Sequence, residues 1–349
     1  MNLLILTQKV DKNDAILGFF HSWILEFAKN YEKVTVICLY EGEHNLPNNV
    51  KVLSLGKEKG VSKITYLYNF YKFIFQERKN YDKVFVHMNQ IYIILGGLFW
   101  KLSGKEIGLW YAHGSIPFGL RIATKITNYI FTSTESGFRI NSKRKRVVGQ
   151  GIDVSSFKPS DLKINSDTFN IVTVGRISPV KDLETLIKAI NLIKNDIPVR
   201  LNIIGEIILG KDRNYKKNLE QKIKEMDLGT IVTFVGSVPN NRLVDYLRKN
   251  DLFVNTSHTG SLDKTVLEAM ATGLPVLNCN EALLDVFGDL KGELMFPKRD
   301  FEALSVKMRN MSNNGVEYRN KLGSKLRDIV VKNHSTENLI KKIKDIYKA

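Results

Sequence analysis

Short apolar runs alternate with longer stretches of helical spacing along most of the chain. In the first half, residues 3–6, 33–39, 50–55, 83–87, 107–112 and 129–132 read as strands. Residues 19–29 predict a helix in which Trp23 and Phe27 share a face, and residues 62–79 predict another with aromatics on more than one face. Short strands separated by helices of roughly ten residues or more predict a parallel, doubly wound sheet. Residues 149–167, GQGIDVSSFKPSDLKINSD, break the pattern with Gly, Pro, Ser and Asp, as linkers do. The alternation then restarts, with strands at 169–174, 199–204, 231–235 and 252–255 and helices at 183–193, 219–226 and 242–248. Helical segments at 301–311, 317–331 and 336–347 close the chain. The expected fold class is therefore α/β, with domains at 1–155 and 156–332 facing a central cleft.

A chain of 349 residues exceeds what one hydrophobic core usually serves, in keeping with two domains. With 43% hydrophobic and 25% charged residues, the composition is that of an ordinary globular protein. The formal charge of +16 is not ordinary. It leaves three explanations open: nucleic acid, an anionic membrane surface, or a Lys, Asn and Ile bias without functional meaning. No nucleic-acid-binding module is recognisable, and the cations are spread along the chain, so nucleic acid is not an expected partner. Cys38 and Cys279 each lie in an apolar, strand-like run, which gives no support to a disulfide framework or a zinc site. The chain opens directly on a strand without the pattern of an export signal, and its longest apolar run, residues 91–100, is too short to span a bilayer. The expected location is the cytoplasm, at the inner face of the membrane if the basic charge acts there.

Candidate chemistry gathers at strand exits, where open α/β sheets bind ligands. His87 and Asn89 follow one strand, His113 and Gly114 the next; Gly175 with Arg176, Gly205 with Glu206, Gly236, and Ser257 with His258 follow strands of the second half. Singly, each reads equally as a turn residue. As a set they predict a polar, backbone-lined cleft. No G-x-G-x-x-G follows the first strand, which argues against a dinucleotide-binding domain. The densest stretch is 251–280, DLFVNTSHTGSLDKTVLEAMATGLPVLNCN, a strand, a small-residue loop, a helix opening near Lys264 and a stop at Gly273 and Pro275. Ser257, Thr259, Gly260 and Ser261 suit a loop whose N–H groups turn toward an anion, with the following helix adding its positive end. An ordinary loop with capping residues is the alternative.

VGRISPVKD at 174–182, FVGSVP at 234–239 and TVLEAMATGLPV at 265–276, in that order and spacing, resemble the nucleotide-binding half of the GT-B glycosyltransferases, specifically the large retaining family 4. The resemblance covers most of the second half and, more loosely, the first. It implies two Rossmann-like domains, with the C-terminal helix at about 333–349 returning to the first. It also implies transfer of a hexose from a nucleotide diphosphate sugar to a hydroxyl of a glycan or lipid-linked acceptor, with retained configuration, no metal and no other cofactor. A leaving diphosphate needs fixed positive charge as its own charge grows. Arg176 and Lys181 resemble the family's diphosphate-binding pair, Glu268 its ribose-binding glutamate, and His113 its histidine at the sugar. Gly175, Gly236 and Val238 complete the implied donor contacts.

Two departures from the family pattern stand out. Eight positions before Glu268 the family usually has a glutamate that contacts the sugar; here stands Gly260, followed by Ser261, Leu262, Asp263, Lys264 and Thr265. Asp263 is the expected substitute. In the first loop, where many members carry a glycine pair, only Gly18 is available. Asp14, Gly18, His87 and Asn89 are candidate acceptor groups, although an Asp before a helix is more often a cap and a core role is the better reading of His87. The helix at 62–79 and the KRKR tetrad at 143–146 add an anionic membrane surface as a candidate partner, with a buried helix and a solvated loop the equal alternative. A protein that binds a nucleotide or sugar without catalysis is the alternative function, followed by a nucleic-acid-binding protein.

Overall fold

The computed structural model describes residues 1–14, 16–160 and 167–349. Most of the tail of the expected linker, residues 161–166, lies outside them. The chain divides into two compact units, Met1–Gly151 with His334–Ala349, and Ile152–Asn333.

In the first unit, strands β1 (Leu3–Val10), β2 (Val34–Glu41), β3 (Val50–Ser54), β4 (Lys83–His87), β5 (Glu106–Trp110), β6 (Tyr129–Thr132) and β7 (Lys145–Val147) form one parallel sheet in the order β3-β2-β1-β4-β5-β6-β7. Successive side chains of a strand leave opposite faces, and the core obeys this. Leu3, Ile5, Phe85, Trp110 and Phe131 point into one cluster, while Leu4, Leu6, Val84, Val86, Leu109 and Ile130 point into the other. β1 runs past residue 6, because Thr7 and Lys9 stay in register with Cys38 and Tyr40 of β2. The KRKR tetrad does not form a loop throughout: its last two residues open β7, the edge strand, where charge discourages pairing with another chain.

The first cluster is covered by the Phe19–Asn30 helix and the C-terminal Thr336–Lys348 helix. Leu339, Ile340, Ile343 and Tyr347 make the buried stripe of the latter. Tyr347 Oη donates to the Val84 carbonyl at 2.8 Å. Gly108 makes room for it, since a Cβ there would lie 2.2 Å from that oxygen. The second cluster lies beneath helices Lys63–Gln76, Ile91–Leu102 and Phe118–Ile126. Among the described residues no helix is long and apolar enough to cross a membrane.

His87 ends β4 inside the first unit's core. Phe20 stacks on its ring at 4.1 Å, the rings of Phe19 and Trp23 stand edge-on, and Thr7 Oγ1 lies 3.3 Å from Nδ1. This corrects its candidacy as an acceptor group: it is a packed core histidine. Burial lowers its pKa to about 3.

The second unit carries β8 (Phe169–Val174), β9 (Val199–Ile204), β10 (Val232–Gly236), β11 (Leu252–Asn255) and β12 (Val276–Asn278), parallel in the order β10-β9-β8-β11-β12. Helices on both faces close one continuous core. The chain winds outward from β8 in both directions, so the loops after β8 and β11 part on opposite sides of a switch point, where such sheets place ligands.

His87 and His334 both sit in the first unit with pKa values lowered by burial, to about 3 and about 4, against an ordinary value near 6.5. Folded-state values below the unfolded ones mean that the unfolded chain binds more protons between about 6.5 and 4. Stability is unaffected above that window and is lost as pH falls through it, by up to about 1.4 kcal/mol per pH unit for each histidine. Trp23, Trp100 and Trp110 all lie in this unit, so tryptophan fluorescence during urea unfolding reads its stability. His87→Phe should flatten the acid slope in part, leaving the share of His334 and of His21, whose pKa burial also lowers, and an unchanged slope would show that His87 is not the proton acceptor.

Candidate active site

Four strand exits of the second unit are stitched together by backbone bonds. Gly175 N–H donates to Ile204 O, Ile177 N–H to Glu206 O, and Gly205 N–H to Gly236 O, at 2.8–2.9 Å. The approach of the first two loops is so close that a Cβ on Gly205 would stand 1.9 Å from the Gly175 carbonyl oxygen. With φ at +139°, position 205 requires glycine twice over. The loop after β11 then clamps the loop after β8: His258 N–H donates to Val180 O at 2.9 Å and Thr256 Oγ1 to Lys181 O at 2.7 Å. His258 Nε2 also lies 3.1 Å from the Asp182 carboxylate.

At the centre stands Lys181, whose Nζ bonds Asp263 Oδ1 at 2.6 Å. The second carboxylate oxygen accepts from Asn255 Nδ2 at 3.0 Å and from Asn280 Nδ2 at 2.9 Å. Burial alone would raise the Asp263 pKa; the Lys181 ammonium and the two amides outweigh it and hold the carboxyl below its ordinary range. Both oxygens are thus engaged. Asp263, expected from sequence to replace a sugar-contacting glutamate, here positions Lys181. Asp263 occupies the N-cap of the Lys264–Ala271 helix without making a side-chain cap bond, because its carboxylate is turned to Lys181. The helix's positive end is left without the carboxylate that would usually neutralise it.

Arg176 is exposed at the exit of β8 and, among the described residues, has no ion pair or hydrogen bond. An unpaired guanidinium five positions before a fixed ammonium, in the same loop after β8, makes an anion-seeking site. Thr265 Oγ1 donates to Val174 O at 3.4 Å, tying the helix start to β8. Glu268, on the same helix, is only 1% exposed. Its Oε1 accepts from Asn240 Nδ2 at 2.8 Å and is paired with Lys264 four residues earlier. A buried carboxylate requires such partners. Lys264 therefore supports Glu268 rather than standing free. Ser261 offers its carbonyl to Asn280 Nδ2 at 2.8 Å and to Thr259 Oγ1, and Gly260 adopts φ +61°. Leu262 packs against the core, while Gly236 and Val238 are half-buried at the exit of β10.

The first unit places its candidates differently. His113 is exposed after β5. Ser115 N–H donates to its Nδ1 at 3.0 Å, and an amide can only donate. The neutral ring must therefore carry its proton on Nε2, which can donate outward. Asp14 is taken up locally: Oδ2 pairs with Lys9 Nζ at 2.6 Å, and Oδ1 accepts from the N–H groups of Ile16 and Leu17. Gly18 closes that turn, where a Cβ would meet the Asp14 carbonyl oxygen at 2.4 Å. Asn89 Oδ1 accepts from Ile91 N–H at the start of the Ile91–Leu102 helix. Asp14 thus holds a turn with both carboxylate oxygens, a correction to its place among acceptor groups, while Asn89 engages only Oδ1 in its turn. Among the described residues no cluster of His, Cys, Asp or Glu is arranged to hold a metal ion.

Sequence reasoning missed Asn240, Asn255, Asn278 and Asn280. Asn255 and Asn278 face each other in the β11–β12 register and bond at 2.7 Å, and Asn278 Nδ2 donates to the Asn280 carbonyl. The signal was present: LFVN and VLNCN are apolar strands that end on an amide.

The profile of the Glycosyl transferases group 1 family matches residues 155–329, half of the chain. A D-inositol 3-phosphate glycosyltransferase of Pseudarthrobacter chlorophenolicus is 30% identical over 137 residues, 36% of this chain and 32% of that protein. The putative colanic acid biosynthesis glycosyltransferase WcaL of Escherichia coli is 25% identical over 170 residues, 46% of this chain and 40% of that protein. The matches thus span well under half the length of these relatives. Among solved structures, Anabaena Alr3699/HepE in complex with UDP superposes with a TM-score of 0.81 at 17% identity, covering 100% of both chains. The fold is the GT-B fold, and by the profile match across its second sheet and the helices up to residue 329 the chain belongs to the glycosyl transferases group 1.

Proposed function

We propose that the chain transfers a hexose from a nucleotide diphosphate sugar to a hydroxyl of a glycan or lipid-linked acceptor, with retention of configuration. The observation that carries this reading is the pairing of an unpartnered Arg176 with a Lys181 locked in place by Asp263. As the bond to the sugar breaks, negative charge grows on the diphosphate. Arg176, Lys181 and the start of the Lys264–Ala271 helix would take that charge without reorganising. The reading needs no metal and no protein nucleophile.

With Oε1 of Glu268 held by Asn240 and Lys264, Oε2 is the acceptor left for a ribose hydroxyl. His113, with its Nε2 proton, is assigned to a hydroxyl of the transferred sugar. Retention would have the leaving phosphate accept the proton of the attacking hydroxyl. The finer partners of the reading are the glycan or lipid-linked acceptor and an anionic membrane surface, with the cytoplasm as the compartment. UDP is bound by the Anabaena protein, and it heads the panel of nucleotides to be tried.

A nucleoside diphosphate that fits should stabilise the protein by about 2.7 kcal/mol at roughly a hundredfold excess over its Kd. A thermal-shift panel of UDP, GDP, ADP and TDP reads this directly. Arg176→Ala should abolish the shift and lower turnover by about a hundredfold or more, while the ligand-free melting temperature stays put because the side chain is exposed and unbonded. No shift with any nucleotide would sink the reading. A shift without turnover of any nucleotide sugar would instead favour a binding protein that does not catalyse.

The Lys181 anchor can be checked without a substrate. Asp263→Ala leaves a largely buried ammonium unpaired, and unfolding free energy should fall by about 3–5 kcal/mol. Urea unfolding followed by far-ultraviolet circular dichroism gives the value, and Asp263→Ala combined with Lys181→Met should recover part of the loss. A cost of less than about 0.5 kcal/mol would mean that the pair does not hold the site together.

A further inference from the structure

Helices Lys63–Gln76, Ile91–Leu102 and Phe118–Ile126 form a continuous layer over one face of the first unit's sheet. Phe75 and Phe99 join the first two, with ring centroids 4.4 Å apart, and Tyr71 Oη donates to the Leu95 carbonyl. Gly97 lets the third close in, since a Cβ there would meet Ile126 Cγ2 at 2.5 Å. The middle helix is apolar on all sides. Tyr92, Ile93, Gly96, Gly97 and Trp100 face the sheet, while Ile91, Leu98 and Leu102, spaced for one outer stripe, are exposed, the last two by 70% and 81%. An all-apolar helix ordinarily marks one buried on both sides. Its neighbours extend the stripe: Ile64 is 81% exposed with Tyr68 and Phe75 on the same outer face, and Phe118 is 78% exposed with Ile122 one turn on.

Charge on this layer has one sign. The three helices carry Lys63, Lys72, Lys101, Arg121 and Lys125, all exposed, and no Asp or Glu. Arg144 of the KRKR tetrad adds to them, its guanidinium donating to the Thr124 and Lys125 carbonyls at 2.8 and 3.0 Å. The opposite face of the same sheet differs: its helices carry Glu26, Glu337 and Asp345 among their basic residues.

We propose that this face of the first unit docks on an anionic lipid bilayer, with the apolar stripes entering the headgroup and acyl boundary and the lysines and arginines meeting lipid phosphates. Exposed apolar side chains ringed by cations and lacking any anion match such a surface on both counts. A second copy of the chain fits poorly, because pairing this face with itself would set like charges against each other. The docking does not depend on the donor site, and its test uses no nucleotide.

Co-sedimentation of the full chain with vesicles of phosphatidylcholine alone, and of phosphatidylcholine with phosphatidylglycerol, tests it. The protein should partition to the anionic vesicles and weakly to the neutral ones. Leu98→Ser with Leu102→Ser should lower partitioning about tenfold or more. Lys101→Gln with Arg121→Gln and Lys125→Gln should lower it by a similar factor and shrink the preference for anionic lipid. Thermal unfolding checks that the serine variant folds; if it does not, the charge variant, altered only at exposed positions, carries the test. Equal partitioning of parent and folded variants, or no binding to either vesicle, would overturn the proposal. So would a dimer in solution that the serine variant dissolves, since that would give the face to a second copy.

Discussion

The second unit depends on one ion pair, that of Lys181 with Asp263. A charge withdrawn from water must be met by another charge or by hydrogen bonds. Here the requirement is met on both sides, by the ammonium on Oδ1 and by two amides on Oδ2. The consequences reach past the pair. Asn280 is drawn into position by Asp263 and in turn holds the Ser261 carbonyl, so the loop after β11 takes its path from the same carboxylate. Because that carboxylate is spent on Lys181, it does not cap the helix that follows, whose positive end remains uncapped by it. One interaction thus fixes a cation and leaves a helix terminus electropositive, the two properties that a site for a diphosphate needs.

The pair can form only because the sheet brings distant loops together. In a parallel sheet all carboxyl ends lie on one edge, so residues 175–181 and 255–263, far apart in sequence, exit side by side from β8 and β11. Glycine sets how near they come. Gly205 has no tolerance for a side chain against the Gly175 carbonyl, and that contact defines the bend from which Arg176 projects. In the first unit a different glycine serves packing: Gly108 admits the Tyr347 phenol to the Val84 carbonyl, and through it the C-terminal helix is seated on the sheet that the N-terminal strand begins.

Much of this was legible in the chain. Strand and helix periodicity gave the α/β class, and the residues at the exits of β8, β10 and β11 were found because their motifs recur in order. What periodicity could not give was partnership. Asp263 looked like a free carboxylate suited to a sugar, and only the fold reveals that both of its oxygens are occupied, partly by Asn255 and Asn280 from neighbouring strand ends. Asp14 misled in the same way, since a polar residue before a helix serves a turn as readily as a ligand. His87 ends a strand, as a ligand would, but the aromatic residues that enclose it come from the Phe19–Asn30 helix. Polar side chains are read from sequence by type, whereas their task is set by what stands opposite.

Residues 91–100 show the limit from the other direction. As the longest apolar run of the chain, they prompt the question of whether they cross a membrane, and their length answers no. The more useful question is which sides of the helix meet the protein. Gly96, Gly97 and Trp100 account for the inner side, and nothing in the described residues covers Leu98 and Leu102 on the outer. Exposed single leucines need no explanation, since much of any folded surface is apolar. A row of large apolar side chains running across three adjacent helices, with every charge on those helices positive, is a different matter. Compositional bias would spread cations over all helices and leave acids interspersed among them; it would not clear acids from one layer and retain them on the opposite face of the same sheet. Part of the chain's net charge is therefore organised, and its organisation coincides with the surface that water serves least well.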